Sequence, residues 1–244
     1  MVIKYMMKEM KYKIWICILI VLLAIVCSTL YYVAFMKTDF SKHMIAILTH
    51  EPYMPKRSDN CCIDSWNNCI RKLEIEVDVV FLGDSHTAGG NFQKAFPHVK
   101  SINLGYIGED TKGMLRRVES VAVVRPKKIF LMTGINGLKN QSLLDFEFWY
   151  AALVDSIHTA VPQATLYVES ILPVTASSNY CDNIKIREAN DIIKNIAAVR
   201  QFVYIDLHEA YAMDGALPME MSYDGLHLTS EAYNIWYNTI REYI

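Results

Sequence analysis

Two short segments, far apart in the chain, carry the side-chain types of a nucleophilic catalyst. Ser85 follows an apolar run that ends at Gly83, and Asp224 and His227 stand three residues apart near the C-terminus. A serine hydroxyl is a poor nucleophile until a neutral imidazole within hydrogen-bonding reach takes its proton, and that imidazole needs a partner that fixes its tautomer. The pattern therefore predicts Ser85 as the nucleophile, His227 as the general base and Asp224 as the carboxylate that orients His227.

Four short blocks occur in order along the chain, each where a strand is expected to end: Gly83-Asp84-Ser85, Asn103-Leu104-Gly105, Gly134-Ile135-Asn136 and Asp224-Gly225-Leu226-His227. One such triplet is common in loops, whereas the ordered set is specific. The set resembles the SGNH/GDSL hydrolase family over residues 75–244, and in particular its small lysophospholipase- and acetylhydrolase-like esterases. The lipase-type elbow Gly-x-Ser-x-Gly is absent because Thr87 occupies its last position, which argues against the α/β-hydrolase fold.

The resemblance also implies which groups stabilise the oxyanion that forms during acyl transfer. They are the backbone N–H groups of Ser85 and Gly105 and the side-chain amide of Asn136. Two positions depart from the family pattern: Gly137 stands where an acid commonly follows the asparagine, and His86 replaces the leucine of the name-giving motif. We interpret His86 as a half-exposed residue at the start of a helix, with contact to the substrate as the alternative.

Short apolar runs alternate with stretches of helical period from residue 77 onward. The runs predict strands at 77–82, 101–104, 128–133, 165–170 and 202–206. Their continuous apolar character is typical of a parallel sheet covered on both faces. The resemblance implies a flavodoxin-like three-layer α/β/α sandwich with a five-stranded parallel sheet. Because ligands bind beyond the carboxyl ends of such strands, we expect Ser85, Gly105 and Asn136 to converge at one edge of the sheet.

Four amphipathic stretches are predicted to be the main helices. The first is expected to be capped by Thr111, to carry a buried stripe to residue 122 and to end before Pro126 as one helix. The others carry buried stripes over 146–157, 186–197 and 232–240, and Thr229 or Ser230 is expected to cap the last.

An apolar segment near the N-terminus predicts a membrane anchor. Ile14 through Phe35 contains no charged residue, and as a helix it is about 33 Å long, enough to cross a bilayer core. Lysines precede it, which predicts a cytoplasmic N-terminus and a catalytic domain that is periplasmic or extracellular in a bacterium, and lumenal otherwise. The predicted organisation is a basic tail (1–13), an anchor (14–36), a linker (37–74) and the hydrolase domain (75–244). A cleaved signal peptide and a lipid-modified Cys27 are the alternatives.

Four cysteines lie outside the predicted span: Cys61, Cys62, Cys69 and Cys181. Four cysteines allow three pairings, and the adjacent Cys61 and Cys62 are poorly placed to pair with each other. We expect one of these two to bond to Cys69 and the other to Cys181, and free thiols are the alternative. No His or Cys spacing typical of zinc is present, so we expect neither a metal nor a cofactor.

A formal net charge of −2 without a sustained basic stripe gives no support for nucleic-acid binding. The sequence thus predicts a membrane-anchored serine esterase that acts on small acyl or acetyl esters, such as glycan O-acetyl groups or lysophospholipid-like substrates. An acyltransferase that acts on envelope glycans with the same residues is one alternative. An anchored binding module that has lost turnover is the other.

Overall fold

The computed structural model describes Trp15, residues 26–28, 68–72 and 75–244. The predicted tail and most of the predicted anchor and linker therefore lie outside the described residues. Within the part of the chain that is described, no helix is both long enough and apolar enough to cross a membrane.

Five parallel strands form one sheet in the order β2-β1-β3-β4-β5, which is the strand order of flavodoxin-like folds. Every residue of the interior strand β1 is buried, as expected for a strand covered on both faces. Gly83 pairs with Gly105 of β2 and with Met132 of β3, so the carboxyl ends of these strands are level. The strands are β1 (Val79–Gly83), β2 (Ser101–Gly105), β3 (Lys128–Met132), β4 (Thr165–Glu169) and β5 (Val203–Ile205). The predicted parallel sheet is confirmed, with strand ends within two residues of those expected.

Helices follow the strands as the alternating pattern predicted. They are α1 (Ser85–Gly89), α2 (Phe92–Ala95), α3 (Thr111–Leu115), α4 (Val118–Val123), α5 (Ile135–Leu138), α6 (Leu143–Ala160), α7 (Asn183–Arg200), α8 (Leu207–Tyr211) and α9 (Tyr233–Ile240), with 3₁₀ turns at Met219–Met221 and Arg241–Tyr243. Residues 68–72 are also helical.

Two hydrophobic cores lie on opposite faces of the sheet. Val80 and Leu82 of β1 pack into one core with α3, α4, α6 and α7. Val79 and Phe81 pack into the other with α2, α8 and α9, where the Trp236 side chain is fully buried. The alternation of side chains along each strand thus feeds two helical layers. The result is the expected three-layer sandwich.

The helix predicted from Thr111 to residue 122 is two helices, so that prediction is wrong. Asp110, not Thr111, caps α3, because its Oδ1 accepts the Gly113 N–H at 2.8 Å. The helical conformation is interrupted between α3 and α4, where the Arg117 side chain is completely buried. The final helix starts later than expected: Thr229 Oγ1 accepts the Ala232 N–H at 3.3 Å, but α9 begins only at Tyr233.

Cys69 and Cys181 are free thiols in the structure, both partly exposed. Their expected partners, Cys61 and Cys62, lie outside the described residues. The expected bonds from Cys61 and Cys62 are therefore not tested by the described residues and stay predictions, as does the free-thiol alternative.

Candidate active site

The segment that carries the nucleophile follows strand β1. The chain leaves β1 at Gly83, and Asp84 caps the next helix by accepting the His86 N–H on Oδ1 at 3.0 Å. Ser85 is the first residue of α1, and only 3% of its surface is exposed. A side chain that follows a buried strand so closely is held by the sheet itself.

A tight loop near the C-terminus presents the acid and the histidine. Asp224 Oδ1 accepts the backbone N–H of Leu226 at 3.0 Å and that of His227 at 2.7 Å. Gly225 has φ +87°, a conformation that favours glycine, and it allows the chain to turn back on Asp224. Ser222 Oγ closes the loop by accepting the Gly225 N–H at 2.9 Å and donating to the His227 carbonyl at 2.8 Å.

These two segments meet at the carboxyl edge of the sheet. His227 Nε2 lies 2.9 Å from Ser85 Oγ, and His227 Nδ1 lies 2.6 Å from Asp224 Oδ2. Partial burial favours a higher pKa for Asp224, but hydrogen bonds from the His227 ring and from the loop backbone outweigh it and lower that pKa. An ionised Asp224 fixes the Nδ1–H tautomer of His227, and this leaves Nε2 free to accept the serine proton.

Asn136 follows β3 and lies at the same edge. Its side-chain nitrogen donates one hydrogen to the Glu109 carbonyl at 2.9 Å, and its Oδ1 accepts the Tyr180 hydroxyl at 2.6 Å. An amide nitrogen carries two hydrogens. The two bonds orient the amide and leave its second hydrogen for a ligand.

The structure does not support an oxyanion role for Gly105. Its N–H donates to Asn103 Oδ1 at 2.8 Å, and the residue is buried beneath α1, where an added Cβ would lie 2.2 Å from the Ala88 nitrogen. Gly105 is needed because helix and strand approach each other closely. Gly108, three residues later, is partly exposed and is the glycine of this segment that comes to the surface.

Asn103 is a positioning residue that the sequence analysis did not single out for a role of its own. Its side-chain nitrogen donates to the carbonyls of Thr87 at 2.7 Å and Gly90 at 2.9 Å, while its Oδ1 holds Gly105. Asn103 thereby ties the end of α1 to β2. A strongly hydrogen-bonding side chain in the middle of a predicted strand was the available signal.

A buried ion pair lies under the site. Arg117 donates through Nε to Glu109 Oε2 at 2.6 Å, and through its other nitrogens to the carbonyls of Leu104 at 2.7 Å and Gly83 at 3.2 Å. Burial raises the pKa of Glu109, although the Arg117 charge opposes this. One guanidinium thus joins the ends of β1 and β2 to the residue whose carbonyl orients Asn136.

His86 differs from its expected placement. Its side chain is not half-exposed but buried, with 2% of its surface accessible. Its two ring nitrogens contact Asp84 and the Leu226 carbonyl. The expected half-exposed position is therefore wrong, and both ring nitrogens already face protein oxygens.

The entrance to the site is aromatic and open. The Tyr223 ring, 60% exposed, lies nearly parallel to the His227 ring with centroids 5.7 Å apart. Tyr180, which holds Asn136, carries Lys139 over its ring at 5.0 Å. Asp224 and His227 are themselves partly exposed. The acid and histidine therefore lie near the surface, with the Tyr223 ring stacked against His227.

Residues 81–235 match the model of the GDSL-like lipase/acylhydrolase family. The match covers more than half of the sequence and contains the serine, acid and histidine described above. The chain belongs to this family. It is accordingly an ester hydrolase of the GDSL/SGNH type, as the ordered blocks predicted.

Solved structures show the same fold at low sequence identity. A GDSL-like lipase from Bacteroides thetaiotaomicron is 20% identical, with a TM-score of 0.64 over 74% of this chain and 96% of that one. A lipase/acylhydrolase from Enterococcus faecalis is 20% identical, with a TM-score of 0.59 over 68% and 94% of the two chains. An acetylxylan esterase from Geobacillus stearothermophilus is 18% identical, with a TM-score of 0.57 over 69% and 95%. No curated protein matches the sequence.

Proposed function

We propose that this GDSL-type hydrolase is a membrane-anchored serine esterase that cleaves small acyl or acetyl esters through a Ser-His-Asp acyl-enzyme mechanism. The observation that carries the proposal is the continuous hydrogen-bond relay from Ser85 Oγ through His227 to Asp224. Each member has a group of the correct type within hydrogen-bonding distance, which is the geometry that nucleophilic catalysis needs.

In the first half-reaction, Ser85 Oγ attacks the ester carbonyl while its proton passes to His227 Nε2. Asp224 stabilises the imidazolium that forms. Collapse of the tetrahedral intermediate breaks the ester C–O bond, and His227 returns the proton to the leaving alcohol. Water then attacks the acyl-enzyme with His227 acting again as the base, which releases the carboxylic acid and restores Ser85.

The negative charge on the tetrahedral oxygen needs donors. The backbone N–H of Ser85 and the second amide hydrogen of Asn136 are the proposed donors, because Ser85 opens α1 and the Asn136 amide is held by Glu109 and Tyr180. Losing one such donor typically costs about 2.7–4 kcal/mol of transition-state stabilisation. Gly105 is not retained in this role.

The open entrance supports a small acyl group on a bulky alcohol. Exposed aromatic rings such as Tyr223 offer a flat apolar surface for a sugar ring or for an acyl chain. The solved structure from Geobacillus stearothermophilus is that of an acetylxylan esterase, which agrees with a carbohydrate ester. Acetyl groups on envelope or environmental glycans are our preferred substrates, and lysophospholipid-like esters are the competitor.

The anchor is proposed from the sequence: the uncharged stretch from Ile14 to Phe35 with lysines before it supports a single span with the N-terminus in the cytoplasm. The full chain is expected to stay in the membrane fraction after alkaline carbonate washing. An externally added protease should release the hydrolase domain from intact cells. Recovery of the full chain in the soluble fraction would refute the anchor and leave the esterase proposal intact.

The catalytic proposal is tested with the detergent-solubilised full chain on p-nitrophenyl acetate, butyrate and octanoate. The Ser85→Ala variant is expected to lose turnover, whereas Ser156→Ala, a control on α6, should retain it. Activity that falls from acetate to octanoate would support the acetylesterase assignment, and the opposite trend would support lipid-like substrates. A folded wild type with no more turnover than Ser85→Ala would refute the esterase. Product analysis with a glycan acceptor would then test the transferase.

A further inference from the structure

We propose that His86 is a positioning residue that, as an imidazolium, joins Asp84 to the Leu226 carbonyl and so holds His227 against Ser85. The inference rests on the proposed function, because it assigns His86 a part in aligning the proposed triad. It also makes activity depend on the protonation of a residue outside the proposed triad.

The contacts of His86 link the two halves of the site directly. Its Nδ1 lies 3.3 Å from Asp84 Oδ1, and its Nε2 lies 3.0 Å from the carbonyl oxygen of Leu226, 140 residues away in the chain. Asp84 and His86 flank the nucleophile, and Leu226 precedes His227. The bond to Leu226 is therefore a tie between the segment that carries the nucleophile and the loop that carries the base.

The hydrogen count of this contact requires an extra proton. A carboxylate oxygen and a carbonyl oxygen both accept hydrogen bonds, whereas a neutral imidazole has one donor and one acceptor nitrogen. A neutral His86 ring would point a lone pair at one of these two oxygens. An imidazolium satisfies both contacts, so the geometry fits the protonated ring.

The surroundings favour that proton. Burial alone would lower the pKa of His86, but the hydrogen bond and charge of Asp84, the Leu226 carbonyl and the charge of Asp224 together raise it. The other titratable groups that face His86 are His227, with ring centroids 5.4 Å apart, and Tyr233, whose hydroxyl donates to the His86 carbonyl at 2.7 Å. Asp84 Oδ1 lies 3.3 Å from His86 Nδ1, so the Asp84 charge weakens repulsion between His86 and the imidazolium that His227 becomes during the reaction.

Loss of this proton at alkaline pH would break one end of the tie. The Asp224–His227 loop is also held by Thr175, whose N–H donates to the Gly225 carbonyl at 3.0 Å, and by burial of the Leu226 side chain. Loss of the tie would therefore shift His227 relative to Ser85 without releasing the whole loop. A misplacement of about 1 Å in a catalytic group can cost about a hundredfold in rate. Because the folded pKa is raised, the tie is present below the pKa of His86 and is lost as the pH rises through it.

Two substitutions distinguish the effect of the His86 charge from that of its hydrogen bond to the Leu226 carbonyl. In His86→Gln, the side-chain amide nitrogen lies as many bonds from the main chain as histidine Nε2 does, so it can donate to the Leu226 carbonyl at every pH. Leu, the residue common in the family motif, has no donor. His98→Leu, on an exposed histidine, is the matched control.

We expect His86→Leu to lower kcat for p-nitrophenyl acetate about 10–100-fold with little change in KM. His86→Gln should keep most of the neutral-pH activity but lose the alkaline decline that we expect in the wild type. Circular dichroism and thermal melting establish that each variant is folded. A folded His86→Leu with wild-type kcat, or a His86→Gln that retains the alkaline decline at the same pH, would overturn the proposal. If His86→Leu fails to fold, the pH profile of His86→Gln alone tests the proposal.

A titration without turnover keeps this test separate from the esterase proposal. In ¹⁵N-histidine-labelled Ser85→Ala protein, with signals assigned by His86→Gln, His86 should remain an imidazolium above the usual pKa of a histidine. A neutral His86 ring at pH 6 would overturn the proposal even in an active enzyme. Absence of ester hydrolysis together with a protonated His86 would refute the esterase and leave the tie in place.

Discussion

The serine and its acid–base pair are held in opposite ways. Ser85 is buried just after strand β1. Residues distant in sequence hold the segment around it: Asn103 donates to the Thr87 carbonyl and Arg117 donates to the Gly83 carbonyl. Asp224 and His227 lie in a partly exposed loop whose bonds run mostly between residues two to five positions apart. The nucleophile is thus part of the folded core, whereas the base is carried by a local turn attached to it.

This difference separates stability from activity. Removing a group from the loop should cost catalysis and leave the fold nearly unchanged, because few core contacts depend on it. Removing a group from beneath the nucleophile should cost stability, because it leaves buried polar groups without partners. The four substitutions below test that separation, from the largest expected effect to the smallest.

His227→Ala should lower kcat/KM by about 10⁴-fold or more, since the serine loses its general base. The free energy of unfolding should stay within about 0.5 kcal/mol of wild type, because the ring is partly exposed. Ester hydrolysis and urea denaturation measure the two quantities. His158→Ala, at an exposed site on α6, is the control for each. A large loss of stability in His227→Ala would contradict the expectation that the loop contributes to catalysis but little to stability.

Arg117→Met should destabilise the protein by about 3–5 kcal/mol at neutral pH, because Glu109 and the carbonyls of Gly83 and Leu104 lose their buried donor. The loss should shrink at acidic pH, where Glu109 takes up a proton and needs no partner charge, in keeping with its raised pKa. Urea denaturation at two pH values measures both effects. Arg116→Met, at the exposed neighbouring position, should change stability by less than about 0.5 kcal/mol. Equal effects of the two substitutions would show that the buried pair contributes nothing.

Asn136→Ala should lower kcat about 10²–10³-fold, the usual effect of removing one oxyanion donor. KM should change little, because the missing bond forms mainly in the transition state. Asn140→Ala, on the exposed loop after α5, serves as the control in steady-state kinetics. A rise in KM with unchanged kcat would instead make Asn136 a ground-state binding residue.

Tyr180→Phe should lower kcat/KM only about fivefold, since it removes one hydrogen bond to Asn136 Oδ1 worth about 1 kcal/mol. The effect should vanish in an Asn136→Ala background, because the tyrosine acts through the asparagine. The double-mutant cycle is measured with p-nitrophenyl acetate, and Tyr243→Phe is the distant control. Additive losses would mean that Tyr180 contacts the substrate independently.

The sheet and most helices were predictable because each element repeats a simple pattern. β1 reads as a continuous apolar run, and the stripe that contains Phe146 and Tyr150 recurs at helical spacing. The break between α3 and α4 was not predictable, because Arg117 lies in an otherwise helical stretch and its burial depends on carbonyls brought together by the folded sheet. Helical periodicity in the sequence does not show which tertiary partners a side chain will have.

Within the site, the sequence indicated which residues meet but not how each is used. Ser85, Asp224 and His227 were recognisable by type and order, and the structure brings them together. Gly105 was assigned to the oxyanion because the family resemblance implied it, yet its close approach is to α1. His86 was expected to be half-exposed as a residue at the start of a helix, and its long-range partner Leu226 could not be inferred from local sequence.

The central claim is that Ser85 is the activated nucleophile of a serine hydrolase. Its most direct test is incubation of the full chain with an organophosphonate, followed by intact-mass and peptide analysis. We predict one adduct per chain, located on Ser85, absent in Ser85→Ala and formed much more slowly in His227→Ala. A folded wild type that forms no adduct, or one labelled at another residue with Ser85 unmodified, would contradict the account.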